Sequence, residues 1–218
     1  MKNKLSTIIL AVACAVFIAS CGGGSVGKKL PNNDYLGDLP NLVNQKYLTD
    51  SVREAKVEAE VSKAKLAGKF DDKKAMQIYE KYKLDNKAAE EAYKADIAKL
   101  KEKLVGKEIP VEVAEGAGFK VNSSRITGVE NNGVRVEMVV EVTDLKEANF
   151  SRWGGATLNL AAQLLDKDGN QIGNDGWASA KFSEKADGAT GTIDHYLSIY
   201  KRDAANFVNF AKIKFIKR

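Results

Sequence analysis

The chain holds one histidine, two cysteines and three prolines among 218 residues. These scarcities exclude several chemistries. The cysteines stand at 14 and 21, so residues 22–218 can form no internal disulfide. With His195 as the single histidine and no cysteine after 21, no His/Cys zinc set can be assembled. A Ser-His-Asp arrangement would have to use His195, and no nucleophile-elbow motif accompanies it. No phosphate-cradling glycine motif occurs, and Gly116-Ala117-Gly118 reads as a turn between strands. Basic residues form no block, and the net charge of +5 is spread along the chain, so no nucleic-acid footprint is expected. Residues 5–18 are almost wholly apolar, yet too few to cross a bilayer as a helix. The composition therefore predicts no enzyme, no metal and no cofactor.

What the chain does have begins at its first residues. Lys2 and Lys4 precede the apolar run at 5–18, and a polar glycine-rich stretch follows. This is the pattern of a secretion signal over residues 1–20. Small residues then stand directly before a cysteine. The tetrapeptide Ile18-Ala19-Ser20-Cys21 resembles the lipobox of bacterial lipoproteins. The resemblance implies cleavage before Cys21, a diacylglyceryl thioether on its sulfur and an acylated (palmitate-type) amino terminus. Two or three acyl chains hold a protein on a membrane firmly, where one does so only marginally. Gly22, rather than an acidic residue, follows the cysteine, which by the same resemblance implies the outer membrane. The lack of an acidic cluster after it implies the periplasmic face. Loss of residues 1–20 removes Lys2 and Lys4 and lowers the net charge from +5 to +3.

Residues 21–45 carry many Gly and Asn residues with Pro31 and Pro40, and read as a flexible tether. As a coil, the 27 residues from Cys21 to Leu48 would span roughly 30 Å. Tyr35, Leu36, Leu39, Leu42 and Val43 exceed a linker's apolar content, and are expected to pack back on the folded part or meet a partner. Residues 46–107 are rich in Ala, Lys and Glu and read as helical. Ser51 and Glu54 have capping-box spacing, which predicts a helix over 52–67 closed by Gly68. A second helix is predicted over 72–83, with Met76, Tyr79 and Tyr82 on one face. A third, capped by Asp85, is predicted over 86–105, with a stripe at Ala89, Tyr93, Ile97, Leu100 and Leu104. Such a narrow stripe must be covered. A helical hairpin or small bundle covers it most simply; packing on the following domain or a coiled coil are the alternatives. Asp50-Ser51-Val52 also resembles an O-glycosylation sequon used in one bacterial phylum.

Residues 108–218 change to period two. Val134, Val136, Met138, Val140 and Val142 alternate with outward positions, and Leu158, Leu160, Ala162 and Leu164 repeat the pattern. Further strands are predicted at 109–114, 119–129, 177–182, 190–200 and 210–216. Turns fall at Asn131-Asn132-Gly133, Asp168-Gly169-Asn170 and Asp187-Gly188. The expectation is α+β: a helical hairpin or small bundle, then an antiparallel immunoglobulin-like β-sandwich. Residues 134–142 and 164–173 together resemble the small sandwich domains of bacterial cell-envelope lipoproteins, a likeness over about 50 residues that implies a binding or spacer module.

Asp166-Lys167-Asp168-Gly169-Asn170 superficially matches a calcium loop, but its glycine and its position-12 residue are wrong, and a hairpin turn is expected. His195 alternates with Ile193, Leu197 and Ile199, which predicts an inward, packed ring. The aromatics are the binding candidates. Trp153 beside Arg152 on a loop could stack on a sugar or peptide. Tyr196 and Tyr200 are expected to face away from His195 as an exposed aromatic face, and Trp177 to join the core. The functional expectation is a membrane-anchored, non-enzymatic binding module. An outward-facing glycan binder, or an assembly partner of an envelope complex working through the helices, are the alternatives.

Overall fold

A computed structural model describes residues 29–152 and 155–217. The signal, Cys21 and Trp153 lie outside the described residues. The chain is α+β: two long helices, α1 (Leu39–Leu66) and α2 (Asp72–Leu104), precede seven strands. It divides into two compact units. One contains residues 44–95 and is helical; the other contains residues 30–43 and 96–218 and holds the sheet. Among the described residues no helix is long and apolar enough to cross a membrane.

In the helical unit α1 and α2 run antiparallel. Lys46 pairs with Glu90 at 3.0 Å, Arg53 Nε donates to Asn86 Oδ1 at 2.9 Å, and Lys81 meets Glu60 at 3.6 Å. The turn between them is a Schellman cap. Gly68 takes φ +64°, and the amides of Gly68 and Lys69 donate back to Lys65 and Ala64. Three sequence expectations fail here. Ser51 caps nothing, because α1 begins at Leu39 and Ser51 lies inside it. Residues 39–45, expected in the flexible tether, are helical, since a first-turn proline such as Pro40 sacrifices no helical hydrogen bond. The predicted break at Asp85 is missing as well. Asp and Asn weaken a helix by only tenths of a kcal/mol, and Asn86 is held by Arg53. Ile78 is buried while Met76 and Tyr79 are exposed, because a strict three-residue spacing drifts around the helix.

The β unit receives the outer ends of both helices. Leu39 and Val43 of α1, and Ile97, Leu100 and Leu104 of α2, are buried in it, so for this part of the stripe the alternative of packing on the following domain holds in place of the favoured bundle. The apolar residues ahead of α1 do pack back. Asn33 is buried; its amide donates to the carbonyls of Phe210 (2.7 Å) and Val208 (3.1 Å), and its Oδ1 accepts from the amides of Tyr35 and Leu36. Leu36 is fully buried, and the Tyr35 ring meets Phe210 edge-on.

All seven predicted strands exist: β1 (Val111–Val113), β2 (Phe119–Glu130), β3 (Gly133–Val142), β4 (Ala156–Asp166), β5 (Gly176–Phe182), β6 (Thr190–Ser198) and β7 (Phe210–Lys217). Two short 3-10 turns, Lys201–Asp203 and Asn206–Asn209, join β6 to β7. The expected antiparallel immunoglobulin-like sandwich is not what they build. The strands form one mixed sheet in the order β1-β7-β4-β5-β6-β3-β2, with β1 parallel to β7. The sheet curls almost into a barrel. Residues 106 and 107 exchange backbone hydrogen bonds with Ile126 of β2, and past Pro110 the same segment pairs with β7. Proline has no amide to donate, so it suits the point where the chain leaves one edge for the other. The inward face is apolar except at His195: Val134, Val136, Met138, Val140, Ile193, Leu197, Ile213 and Phe215 are all buried.

Glu112 fastens β1 to β7. It lies opposite Lys214 at 2.7 Å and also bonds Lys212. These hydrogen bonds, Lys212's foremost, hold its carboxyl down at about 2, against an ordinary 4.5. A depressed carboxylate stabilises the fold above its unfolded value and loses that contribution as pH falls through the folded one. Glu112→Gln should therefore lower the melting temperature at neutral pH, and the gap from wild type should close between pH 4.5 and about 2. Thermal melts followed by circular dichroism across that range check this.

Candidate functional site

Strands β5 and β6 are adjacent, but they pair only at Ala180↔Ile193, Lys181↔Thr192 and Phe182↔Gly191. Beyond Ala180, β5 reaches back to Gly176 and β6 runs on to Ser198 without a ladder between them. A sheet interrupted in this way leaves backbone polar groups to satisfy and a space to fill. His195 fills part of that space. Its buried ring lies close to the backbone carbonyl of Trp177, which favours the protonated ring. Room for the ring comes from Gly176, where a Cβ would stand 3.2 Å from His195 Cε1. The other side of the ring meets Phe215 edge-on at 6.3 Å.

The gap opens into a cleft of about 450 Å³. Ala162, Leu164, Ile172 and Phe207 form its apolar wall. Its polar lining includes Asn174, Asp175, Ser198, Arg202 and Asp203. Trp177 and Tyr200 also line it, each 59% exposed. A concave apolar floor with a few polar groups and accessible aromatic rings is the common form of a small-ligand site. Its carboxylates are engaged: Asp175 accepts from Gln171 Nε2 at 2.8 Å, and Asp203 from Arg202 Nε at 3.3 Å.

The structure sorts the predicted residues unevenly. His195 points inward as expected. Tyr200 is exposed as expected. Tyr196 is half-buried, and its hydroxyl donates to Asn132 Oδ1 at 3.2 Å, so it is not part of an open aromatic face. Both tyrosines nevertheless line the cleft with His195. Trp177 is the correction: it is exposed, because Ala178, Ala180 and Phe182 take the inward positions of β5 and leave Trp177 out of phase with them. Arg152 is exposed and precedes β4, whereas the cleft is walled by the other end of that strand. Ala156 and Ala162 are separated by about 20 Å of extended chain, so Arg152 does not share the site. The short β5–β6 ladder carried no signal in the sequence beyond the paired glycines Gly173 and Gly176. Among the described residues no group of three or more His, Cys, Asp or Glu side chains is placed to hold a metal ion. The loop at Asp166 is a turn, with Asp166 accepting the amides of Asp168 and Asn170.

No family model, curated protein or solved structure matches the chain.

Burial lowers the pKa of His195 below 6.5, against weaker upward effects of Asp194 and the Trp177 carbonyl. The folded ring therefore resists protonation more than the unfolded one. For such a group the unfolded state binds more protons just below pH 6.5, so stability falls as pH drops from there toward the folded pKa. The urea midpoint of wild type should decline from about pH 7 to 5. His195→Gln should lack that component of the slope while being less stable at pH 7. Equal slopes in the two proteins would show that His195 does not titrate differently on unfolding.

Proposed function

We propose that this chain is a lipid-anchored protein of the bacterial cell envelope that acts by non-enzymatic binding. Its anchor is the lipid on Cys21, and its place is the outer membrane, on the periplasmic face. The run from Lys2 to Cys21 supports the anchor. The observation that carries the binding is the cleft in the β5–β6 gap, with an apolar wall, a neutral buried His195 and the exposed rings of Trp177 and Tyr200. The partner is an envelope protein segment or a glycan.

A second reading, an outward-facing glycan-binding module, is favoured by one feature of the same cleft. Accessible aromatic rings stand there beside Asp175, Asn174 and Asp203, and sugars offer both apolar faces and hydroxyl donors. The contact residues on this reading are Trp177 and Tyr200. Arg152 precedes the other end of β4, and Trp153 lies outside the described residues.

Two experiments test the proposal. In cells fed an alkyne fatty acid, the wild-type chain should take up the label and sediment with membranes. Cys21→Ser should lose the label and move to the soluble fraction; an unlabelled wild type, or an unchanged variant, would remove the anchor from the reading. For the cleft, Trp153→Phe leaves Trp177 as the sole indole. Its emission should change saturably with soluble peptidoglycan or envelope polysaccharide fragments, or with peptides from envelope proteins. Gly176→Val, which pushes a side chain toward His195, should weaken that response at least tenfold. A response indifferent to Gly176→Val and Tyr200→Ala would place binding elsewhere.

A further inference from the structure

The helical unit carries an apolar face that neither α1 nor α2 covers. Met76 is 62% and Tyr79 54% exposed, although Ile78 beside them is buried. With Ala75 they form a shallow groove of about 470 Å³, bordered by Asp72, Glu80 and Lys83. These six residues recur at helical spacing and share one side of α2.

The charges at the two ends of this groove are unused. None of the ion pairs among the described residues involves Asp72, Glu80 or Lys83, although neighbours on the same helix are paired, as Lys81 is with Glu60. Asp72 and Lys83 cannot serve each other, since eleven residues of helix separate them by about 16 Å. Their order has a further property. A two-fold axis midway between Gln77 and Ile78, perpendicular to the helix, exchanges Asp72 with Lys83, Ala75 with Glu80 and Met76 with Tyr79. The face is thus complementary to itself when turned end to end.

We propose that this face of α2 docks against the same face of a second copy of the chain, the two helices running antiparallel. Met76 of each copy packs on Tyr79 of the other, a thioether-to-aromatic contact. Asp72 of each pairs with Lys83 of the other, at both ends of the contact. The arrangement is isologous, so it closes at two copies and builds no filament. One helix face is a small interface, and the dimer is correspondingly weak and concentration-dependent.

The test uses the full chain in mild detergent, prepared with natural nitrogen and with nitrogen-15 and mixed in equal amounts. A carbodiimide joins carboxylates to amines only where they touch. Asp72–Lys83 linked peptides of mixed isotope are expected, and they can arise only between copies. Asp72→Lys should abolish the link and shift sedimentation to monomer, with helix content unchanged by circular dichroism. Combining Asp72→Lys with Lys83→Asp should restore both dimer and link with the charges exchanged. Tyr79→Glu, which leaves the end charges in place, should also give monomer. A chain that stays monomeric at every concentration would overturn the proposal. So would a dimer linked through other residues, or one that survives Asp72→Lys.

Discussion

The interrupted ladder between β5 and β6 is the constraint around which the β unit is organised. A sheet that curls almost to closure exposes little edge, because β2 and β7 are both engaged by the segment carrying Pro110. Solvent and ligands can reach inward where neighbouring strands part. Here they part beyond Ala180 and Ile193. Beyond that point the two strands share no ladder, and the ring of His195 lies between them, close to the backbone of Trp177 and Gly176. The same residue therefore occupies the gap and lines the cleft that the gap creates.

Near-closure also explains why the chain before α1 is ordered. The sheet leaves the backbone between the 3-10 turns and β7 partly unpaired, and Asn33 reaches across to the carbonyls of Val208 and Phe210. One primary amide thus joins a segment read as a tether to the last strand. A buried side chain that uses both its donor and its acceptor in this way fixes a single geometry, because any slip leaves several polar groups without partners.

The elements were legible where one physical signal dominated. Seven strands followed from period-two burial, and the stripe through Tyr93, Ile97, Leu100 and Leu104 followed from period 3.6. What failed were local signals outweighed by tertiary ones. Ser51 and Glu54 have cap spacing, yet burial of Leu39 and Val43 carries the helix thirteen residues further toward the amino terminus. Asp85 could have started a helix, but Arg53 holds the next residue inside one. Sheet order was not legible at all. Strand patterns show which face is buried but not which strand is the neighbour, so one curled sheet and two stacked ones read alike. The cleft was half legible. Tyr196, Tyr200 and His195 stand out in the sequence, while Trp177 reads as core although Ala178, Ala180 and Phe182 set the inward phase of β5.

The charge pattern of the cleft narrows what the proposed binding can mean. A site built for an ion presents an unpaired charge of opposite sign. Here Arg202 and Asp203 neutralise each other and burial keeps His195 neutral, while Asp175 keeps its charge beside the neutral amide of Gln171. What remains on offer is hydrogen-bonding capacity, one carboxylate, an apolar wall and the two rings of Trp177 and Tyr200. A neutral ligand with both an apolar face and polar edges gains from each of these, whereas a free anion would be desolvated without a counter-charge to meet it. On the proposed reading, the partner therefore enters the cleft through a part of its structure that carries no negative charge.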